Sequence, residues 1–125
     1  MTMVETNKTS KILIVDDEES ITELLLRFLR GYEVKTSNNP TEVPRLLTDF
    51  APDLIITDFR MPGKTGLEMM EEINSNRTPP IGFYITTGTS FQLPSIFPAG
   101  HQGNFQKPFI SSELAAEVTK YLGNH

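Results

Sequence analysis

The chain contains no cysteine in its 125 residues, and this absence excludes disulfide bonds and thiolate metal sites. It is compatible with a cytoplasmic location, which is the location we expect. No apolar run approaches the roughly 18 residues that a membrane-spanning helix needs. The N-terminal stretch MTMVETNKTS is polar and lacks the apolar core of a signal peptide. We therefore interpret residues 1–10 as a flexible leader.

Basic residues are few and form no cluster. Lys and Arg number 11 against 16 Asp and Glu, which gives a formal net charge of -5. Direct binding to nucleic acid or to an anionic membrane needs a basic surface, so we expect neither partner for this chain. The length and the 38% hydrophobic content fit one globular domain, which we place at residues 11–125. No repeat, linker or low-complexity tract divides it.

Short apolar runs alternate with helical patterns along this domain. Continuous apolar or β-branched residues predict five buried strands, at residues 11–15, 33–36, 54–57, 81–86 and 104–106. Helices are predicted between them: one that closes at Gly31, one that starts near Thr41, one headed by the capping pair Thr65 and Glu68, and one capped by Ser111. Such alternation is typical of an α/β domain with parallel strands and helices on both faces of one sheet.

Polar side chains stand where the predicted strands end. They are Asp16 and Asp17 after the first strand, Asp58 after the third, Thr86 and Thr87 on the fourth, and Lys107 after the fifth. Ligands bind at the carboxyl ends of parallel strands, so these side chains should converge. Gathered carboxylates repel one another unless a cation joins them, and Mg²⁺ prefers oxygen ligands. A lysine and a hydroxyl beside that ion suit a phosphoryl group, so the pattern predicts Mg²⁺-assisted phosphoryl transfer to or from a carboxylate.

Four ordered motifs carry a family resemblance. KILIVDDEES, PDLIITDFRMPGKTGLEMM, YITTG and QKPF resemble the receiver domain of bacterial two-component response regulators, over about residues 11–122. The resemblance implies a flavodoxin-like, doubly wound fold whose five parallel strands have the order 2-1-3-4-5. It also implies a phosphorelay function: a regulator rather than an enzyme, with Asp58 as the acceptor of a phosphoryl group.

Other site residues and the partners follow from the same resemblance. Thr87, rather than Thr86, is implied as the switch hydroxyl, and Lys107, before a cis Pro108, as the partner of the phosphoryl group. The implied cofactor is Mg²⁺, with these ligands: Asp17, Asp58 and the backbone carbonyl of Arg60 directly, and Asp16 through water. Gly66 matches a turn that needs unusual backbone geometry. The implied partners are a sensor histidine kinase or a histidine phosphotransfer protein, and a downstream protein or output domain.

Two departures from the family pattern affect the expected output face. Pro94 and Pro98 follow the fourth strand, so we expect the fourth helix to be short or missing. Asn104 stands three residues before Lys107, where the family usually has an aromatic switch residue. We expect residues 88–103 to form a loop, with His101 in it and with Phe91 and Phe97 exposed as contact residues.

Simpler and rival readings remain open at this point. Asp16 and Asp17 could only cap a helix, Asp58 could be a turn residue, and Lys107 a solvated charge. A receiver-like module could act without phosphorylation, through protein contacts alone. An Mg²⁺-dependent phosphohydrolase with an aspartate nucleophile could use Glu18, two residues after Asp16, as its second acid. A flavodoxin-like nucleotide carrier is disfavoured by the acids after the first strand, which would repel phosphate.

Overall fold

The computed structural model describes residues 9–88 and 93–123. Most of the expected leader, residues 1–8, lies outside the described residues, and so does Phe91. The strands are β1 (Lys11–Val15), β2 (Glu33–Ser37), β3 (Leu54–Asp58), β4 (Gly82–Thr87) and β5 (His101–Gln106). The helices of the described residues are α1 (Glu19–Phe28), α2 (Val43–Asp49), α3 (Gly66–Asn74) and α4 (Ser111–Gly123), with a 3-10 turn at Pro40–Glu42 before α2.

All five strands belong to one parallel sheet with the order β2-β1-β3-β4-β5. β1 and β3 lie side by side near its centre, with Val15 opposite Thr57. This order confirms the predicted flavodoxin-like topology, and the register brings the carboxyl ends of β1 and β3 to the same height.

Helices cover both faces of the sheet, each over its own apolar cluster. On one face Leu25 of α1 and Leu114 and Val118 of α4 pack against the sheet. On the other face Val43 of α2 and Met70 of α3 do so. The two central strands are buried on both faces, which explains why their sequences read as continuous apolar runs rather than as alternating patterns.

Element boundaries differ from the predictions where polar residues conceal them. β5 starts at His101, three residues before the expected strand, so the expectation that His101 lies in a loop is wrong. This edge strand alternates exposed and half-buried residues, and its polar sequence gave no apolar run to detect. α1 ends at Phe28 rather than at Gly31, because Leu29 already leaves the helical region with φ -114.

The start of α4 differs from the prediction, and the start of α3 agrees with it. Ser111 was expected as a cap but is the first residue of α4, and the carbonyl of Ile110 accepts the amides of Glu113 and Leu114 at 3.0 and 3.1 Å. At α3 the predicted capping box is confirmed: the Thr65 side chain accepts from the Glu68 amide, and the Glu68 carboxylate accepts from the Thr65 amide.

The connection from β4 to β5 carries no helix in its described part, residues 88 and 93–100. Residues 89–92 lie outside the description. Phe97 is half-buried against the cluster of the α2 and α3 face, so its expected exposure is wrong. Its ring stacks on His101 with centroids 3.8 Å apart and planes 5° from parallel. The described part of the connection therefore packs on this face through side chains such as Phe97, without a helix.

None of the helices in the described ranges combines the length and apolarity that crossing a bilayer requires.

Candidate functional site

Three carboxylates meet at the carboxyl edge of β1 and β3. Asp16 and Asp17 follow β1, and Asp58 is the last residue of β3. One oxygen from each lies within 4.8 Å of those of the other two, and Asp16 and Asp58 are buried while Asp17 is exposed. The fold therefore brings together the acids that the sequence placed at the strand ends.

Lys107 is the cation that faces this group. Its amide donates to the carbonyl of Thr87 at 2.7 Å, which fixes the residue beside the end of β4. Its Nζ lies 3.1 Å from Asp16 Oδ2, 3.0 Å from Glu18 Oε1 and 3.5 Å from Asp58 Oδ1. The bond that follows Lys107, to Pro108, is cis, as expected. One lysine thus contacts three separate carboxylates, two of them buried or nearly so.

Burial and crowding make the carboxylates costly to ionise. Burial raises the pKa of Asp58 to about 6, and the negative charges of Asp16 and Asp17 raise it further. Lys107 lowers this pKa, but by less than the other effects raise it. Burial also raises the pKa of Asp16, although the Glu18 amide and Lys107 both stabilise its charged form. The site carries more negative charge than one lysine offsets, and an added cation would relieve it.

The side chains open onto a cleft of about 380 Å³. Its walls are formed by Asp17, Glu18, Asp58, Arg60, Thr87, Gly88 and Lys107. Thr87 is therefore part of the wall, as the sequence analysis expected of a switch hydroxyl. The neighbouring Thr86 is 1% exposed, and its Oγ1 has no hydrogen-bond partner among the residues described. The two threonines thus occupy different environments.

Backbone contacts hold the acid-bearing ends in place. The carbonyl of Asp16 accepts from the Asn38 side chain at 2.6 Å, and its amide donates to Ser37 at 3.0 Å. The Asp16 carboxylate accepts from the Glu18 amide at 2.9 Å. The last of these bonds closes a local turn after β1. The residue that directly precedes α1 is Glu18, not Asp16 or Asp17. The helix-cap reading of the two acids is therefore wrong.

Gly66 is needed for close approach rather than for unusual dihedrals. A Cβ on Gly66 would lie 2.3 Å from the carbonyl oxygen of Asp58, which leaves no room for a side chain. The Gly66 amide donates to Phe59 at 2.8 Å across the same turn. The positive φ of this turn, 89°, belongs to Gly63. The expectation of special geometry was correct for the turn but named the wrong glycine.

The position of Glu18 was not predicted from the sequence. Glu18 was considered only as the second acid of a rival phosphohydrolase, whereas its carboxylate accepts from Lys107 and lines the cleft. Its place directly after two acids was the only available signal. Asn104 is exposed and its Oδ1 lies 2.8 Å from Nε2 of His101. Asn104, which stands where the family resemblance leads us to expect an aromatic residue, thus contacts His101, the first residue of the same strand.

Solved structures establish the class of fold. A response regulator receiver domain protein from Clostridium thermocellum is 27% identical, with a TM-score of 0.75 over 92% of this chain and 95% of that one. A signal receiver domain of an HD domain-containing protein from Pseudomonas fluorescens is 22% identical, with a TM-score of 0.82 over 94% and 97% of the two chains. Both show the same receiver-type fold.

Sequence comparison establishes the family. The sequence model of the family described as the response regulator receiver domain matches residues 12–119. This chain therefore belongs to the receiver domain family of two-component systems. It is 33% identical to the positive alginate biosynthesis regulatory protein of Pseudomonas aeruginosa, over 87% of this chain and 46% of that protein. It is 33% identical to the transcriptional regulatory protein ResD of Bacillus subtilis, over 96% of this chain and 50% of that protein. The chain thus spans about half the length of these curated relatives.

Proposed function

We propose that this receiver domain accepts a phosphoryl group on Asp58 from a phosphohistidine, carried by a sensor histidine kinase or a histidine phosphotransfer protein. The observation that carries the proposal is the position of Asp58: a carboxylate in the cleft wall, 3.5 Å from a lysine and within 4.8 Å of two further acids. Receiver domains bind Mg²⁺ at such an acid cluster.

In the proposed transfer an oxygen of the Asp58 carboxylate attacks phosphorus. An O–P bond forms, the P–N bond of the phosphohistidine breaks, and the imidazole nitrogen leaves with its electron pair. Lys107 holds its ammonium beside the acceptor oxygen, where it can donate to a phosphoryl oxygen. The aspartyl phosphate is the signalling state, so the domain acts as a regulator that assists its own transfer rather than as an enzyme with a separate substrate.

The residues present fit Mg²⁺. Their donors are oxygens only, the three carboxylates converge, and their charge exceeds what Lys107 neutralises. Asp17, Asp58 and the backbone carbonyl of Arg60 would hold the ion directly, and Asp16 through water. When bound, the ion would offset negative charge on the phosphoryl oxygens. The acid-rich site itself supports this assignment, because without added positive charge it would repel a phosphodonor.

Thr87 is proposed as the hydroxyl that turns toward the phosphoryl group. It shares the cleft wall with Asp58 and Lys107, whereas Thr86 does not line the cleft. Arg60 lines the same cleft and would shield the phosphoryl group from water. Arg60→Ala should therefore change phosphoryl loss more than its acquisition.

The signal would leave through a protein partner or an output domain, within the cytoplasm. The two relatives are a biosynthesis regulatory protein and a transcriptional regulatory protein, and this chain covers 46% and 50% of their lengths. The net charge of -5 supports a partner other than nucleic acid for the domain itself.

A second candidate is a module that works through protein contacts without phosphorylation. Two observations favour it: the described part of the β4–β5 connection has no helix, and Asn104 replaces the usual aromatic residue. In this case the acid cluster would persist but phosphorylation would not alter the exposed surface. Hydrogen exchange with and without beryllofluoride and Mg²⁺ separates the two, because only the phosphorylation switch predicts altered protection at residues 93–103.

The test of acceptor chemistry is incubation with acetyl phosphate and Mg²⁺, followed by intact-mass measurement. We expect one phosphoryl adduct in the wild type and in Asp49→Asn, a matched control at an exposed acid of α2. Asp58→Asn should give none, and a chelator should prevent labelling of the wild type. An adduct that persists in Asp58→Asn contradicts the acceptor assignment, and one that survives chelation contradicts the metal assignment.

A further inference from the structure

Glu18 makes the shortest of the three carboxylate contacts to Lys107. Its Oε1 lies 3.0 Å from Nζ, against 3.1 Å for Asp16 and 3.5 Å for Asp58. The proposed function gives Asp16 and Asp58 other tasks but gives none to Glu18. The ammonium donates hydrogen bonds to Glu18 and Asp16, and its contact with Asp58 is a longer ion pair. A phosphoryl oxygen on Asp58 that binds Lys107 therefore competes with these two carboxylates for the ammonium.

The three contacts differ in how easily Lys107 can leave them. Asp16 is 2% exposed, and a buried carboxylate that loses its partner is strongly destabilised. The side chain of Glu18 is 58% exposed, so water can solvate its carboxylate once the lysine moves away. Glu18 is therefore the contact that costs least to exchange.

The backbone of Glu18 is anchored while its side chain reaches into the cleft. Its amide donates to Asp16 Oδ1 at 2.9 Å, and its carbonyl accepts from Ile21 at 3.0 Å. The carboxylate lines the same cleft as Asp58, Thr87 and Lys107. A phosphoryl group on Asp58 would bring further negative charge into that cleft, and the repulsion would drive the Glu18 carboxylate outward.

We propose that Glu18 is a positioning residue that competes with the phosphoryl group for Lys107: it holds the ammonium before phosphorylation and releases it afterwards. The inference rests on the proposed function. By holding Lys107, Glu18 disfavours the phosphorylated state. It is neither a ligand of the phosphoryl group nor a general base.

The test compares Glu18→Gln with Glu19→Gln in the full 125-residue chain. Both variants remove one negative charge at adjacent positions, but Glu19 makes no ion pair with Lys107. Calorimetric titration with beryllofluoride in Mg²⁺ should show binding about two- to fivefold tighter in Glu18→Gln, as expected for loss of one partly exposed ion pair. Glu19→Gln should bind like the wild type.

A second measurement reports on Lys107 itself in metal-free protein. The side-chain nitrogen resonance of Lys107 should shift in Glu18→Gln and stay in place in Glu19→Gln. Unchanged or weaker beryllofluoride binding in Glu18→Gln, beside a wild type that binds, overturns the competition and leaves the proposed function intact. A wild type that binds no beryllofluoride overturns both, and an unmoved Lys107 resonance overturns the ion pair on which the competition depends.

Discussion

The connections that follow β3 and β4 leave neighbouring strands at the same edge of the sheet, yet different kinds of contact hold them. The β3–α3 turn is fixed by near neighbours: the Thr65–Glu68 capping box and the Gly66 amide on Phe59. The described part of the β4–β5 connection is held by side chains instead. Asn74 of α3, 25 positions away, donates to the carbonyl of Ala99 at 2.8 Å, and Phe97 stacks on His101.

This difference separates the turn that follows the proposed acceptor, Asp58, from the segment that we expect to contact a partner. Local bonds hold the turn after Asp58, together with the Phe59 amide, which donates to the Thr86 carbonyl at 2.8 Å. Such support suits a residue that must meet a phosphodonor in one geometry. Residues 93–100 of the β4–β5 connection are held by side-chain contacts, and loss of these contacts should lower the protection of that segment.

Asn74→Ala should have the largest effect, because Asn74 holds both Ile81, just before β4, and Ala99 in the β4–β5 connection. The Asn74 side chain is 6% exposed, accepts from the Ile81 amide at 2.9 Å, and donates to the carbonyls of Ile81 and Ala99. Its loss removes three hydrogen bonds made by one buried side chain, so the free energy of unfolding should fall by roughly 2–4 kcal/mol. Urea unfolding measures this, and hydrogen exchange should show lost protection at the Ile81 amide.

The exposed neighbour supplies the control for that change. Ser75→Ala removes only a hydrogen bond at the surface, to the carbonyl of Glu72, and should change stability little. Equal losses in Ser75→Ala and Asn74→Ala would contradict the special role of Asn74.

Gly66→Ala should break the β3–α3 turn. The added Cβ meets the Asp58 carbonyl oxygen at 2.3 Å, so backbone must move, at about 1–3 kcal/mol of stability. Since the displaced backbone is that of the acceptor, the phosphorylation rate should fall together with stability. Gly31→Ala is the matched control, because nothing lies within 4 Å of the position of its Cβ. Wild-type phosphorylation in a folded Gly66→Ala would show that the close approach does not position Asp58.

Asp58→Asn should stabilise the metal-free protein. The folded protein raises the pKa of Asp58 from 3.8 to about 6, so folding disfavours the charged carboxylate. Removing that charge should add about 1–3 kcal/mol at neutral pH. Above pH 6 the charged Asp58 lowers the free energy of unfolding of the wild type by the full amount. As the pH falls from 6 toward 4, Asp58 becomes protonated in the folded protein before it does in the unfolded chain. The stability difference between Asp58→Asn and the wild type should therefore shrink over this range. Thermal unfolding with chelator at several pH values measures the gap, and a gap constant with pH would contradict it.

Phe97→Leu should have the smallest effect. Leucine keeps apolar contact with the sheet but removes the ring that stacks on His101. The expected loss is about 0.5–1.5 kcal/mol, with faster hydrogen exchange near residues 97–101 and normal phosphorylation. Phe28→Leu, at an exposed phenylalanine of α1, serves as control. A large fall in the phosphorylation rate would show that the two connections are coupled more tightly than their contacts indicate.

The parts of the fold that the sequence predicted are those with local or periodic signals. The continuous apolar residues of β1 and β3, the capping box of α3 and the acids at the strand ends each depend on near neighbours. Strand–helix alternation predicted a parallel sheet, and the order of its strands was implied by the family resemblance. The start of β5 was missed because an exposed edge strand needs no apolar run. The half-buried Phe97 was missed because its partner, His101, became recognisable only once the chain had folded. Glu18 was misread since nothing in the sequence shows that it reaches a lysine 89 positions away.

The position of the phosphoryl group tests the central claim most directly. After reaction with acetyl phosphate and Mg²⁺, borohydride converts an aspartyl phosphate to homoserine, and tryptic cleavage after Arg45 and Arg60 releases the peptide of residues 46–60. That peptide contains Asp49, Asp53 and Asp58, so it carries its own controls. The account predicts homoserine at position 58 alone by tandem mass spectrometry. Homoserine at position 49 or 53, or in another peptide with position 58 unmodified, would contradict it.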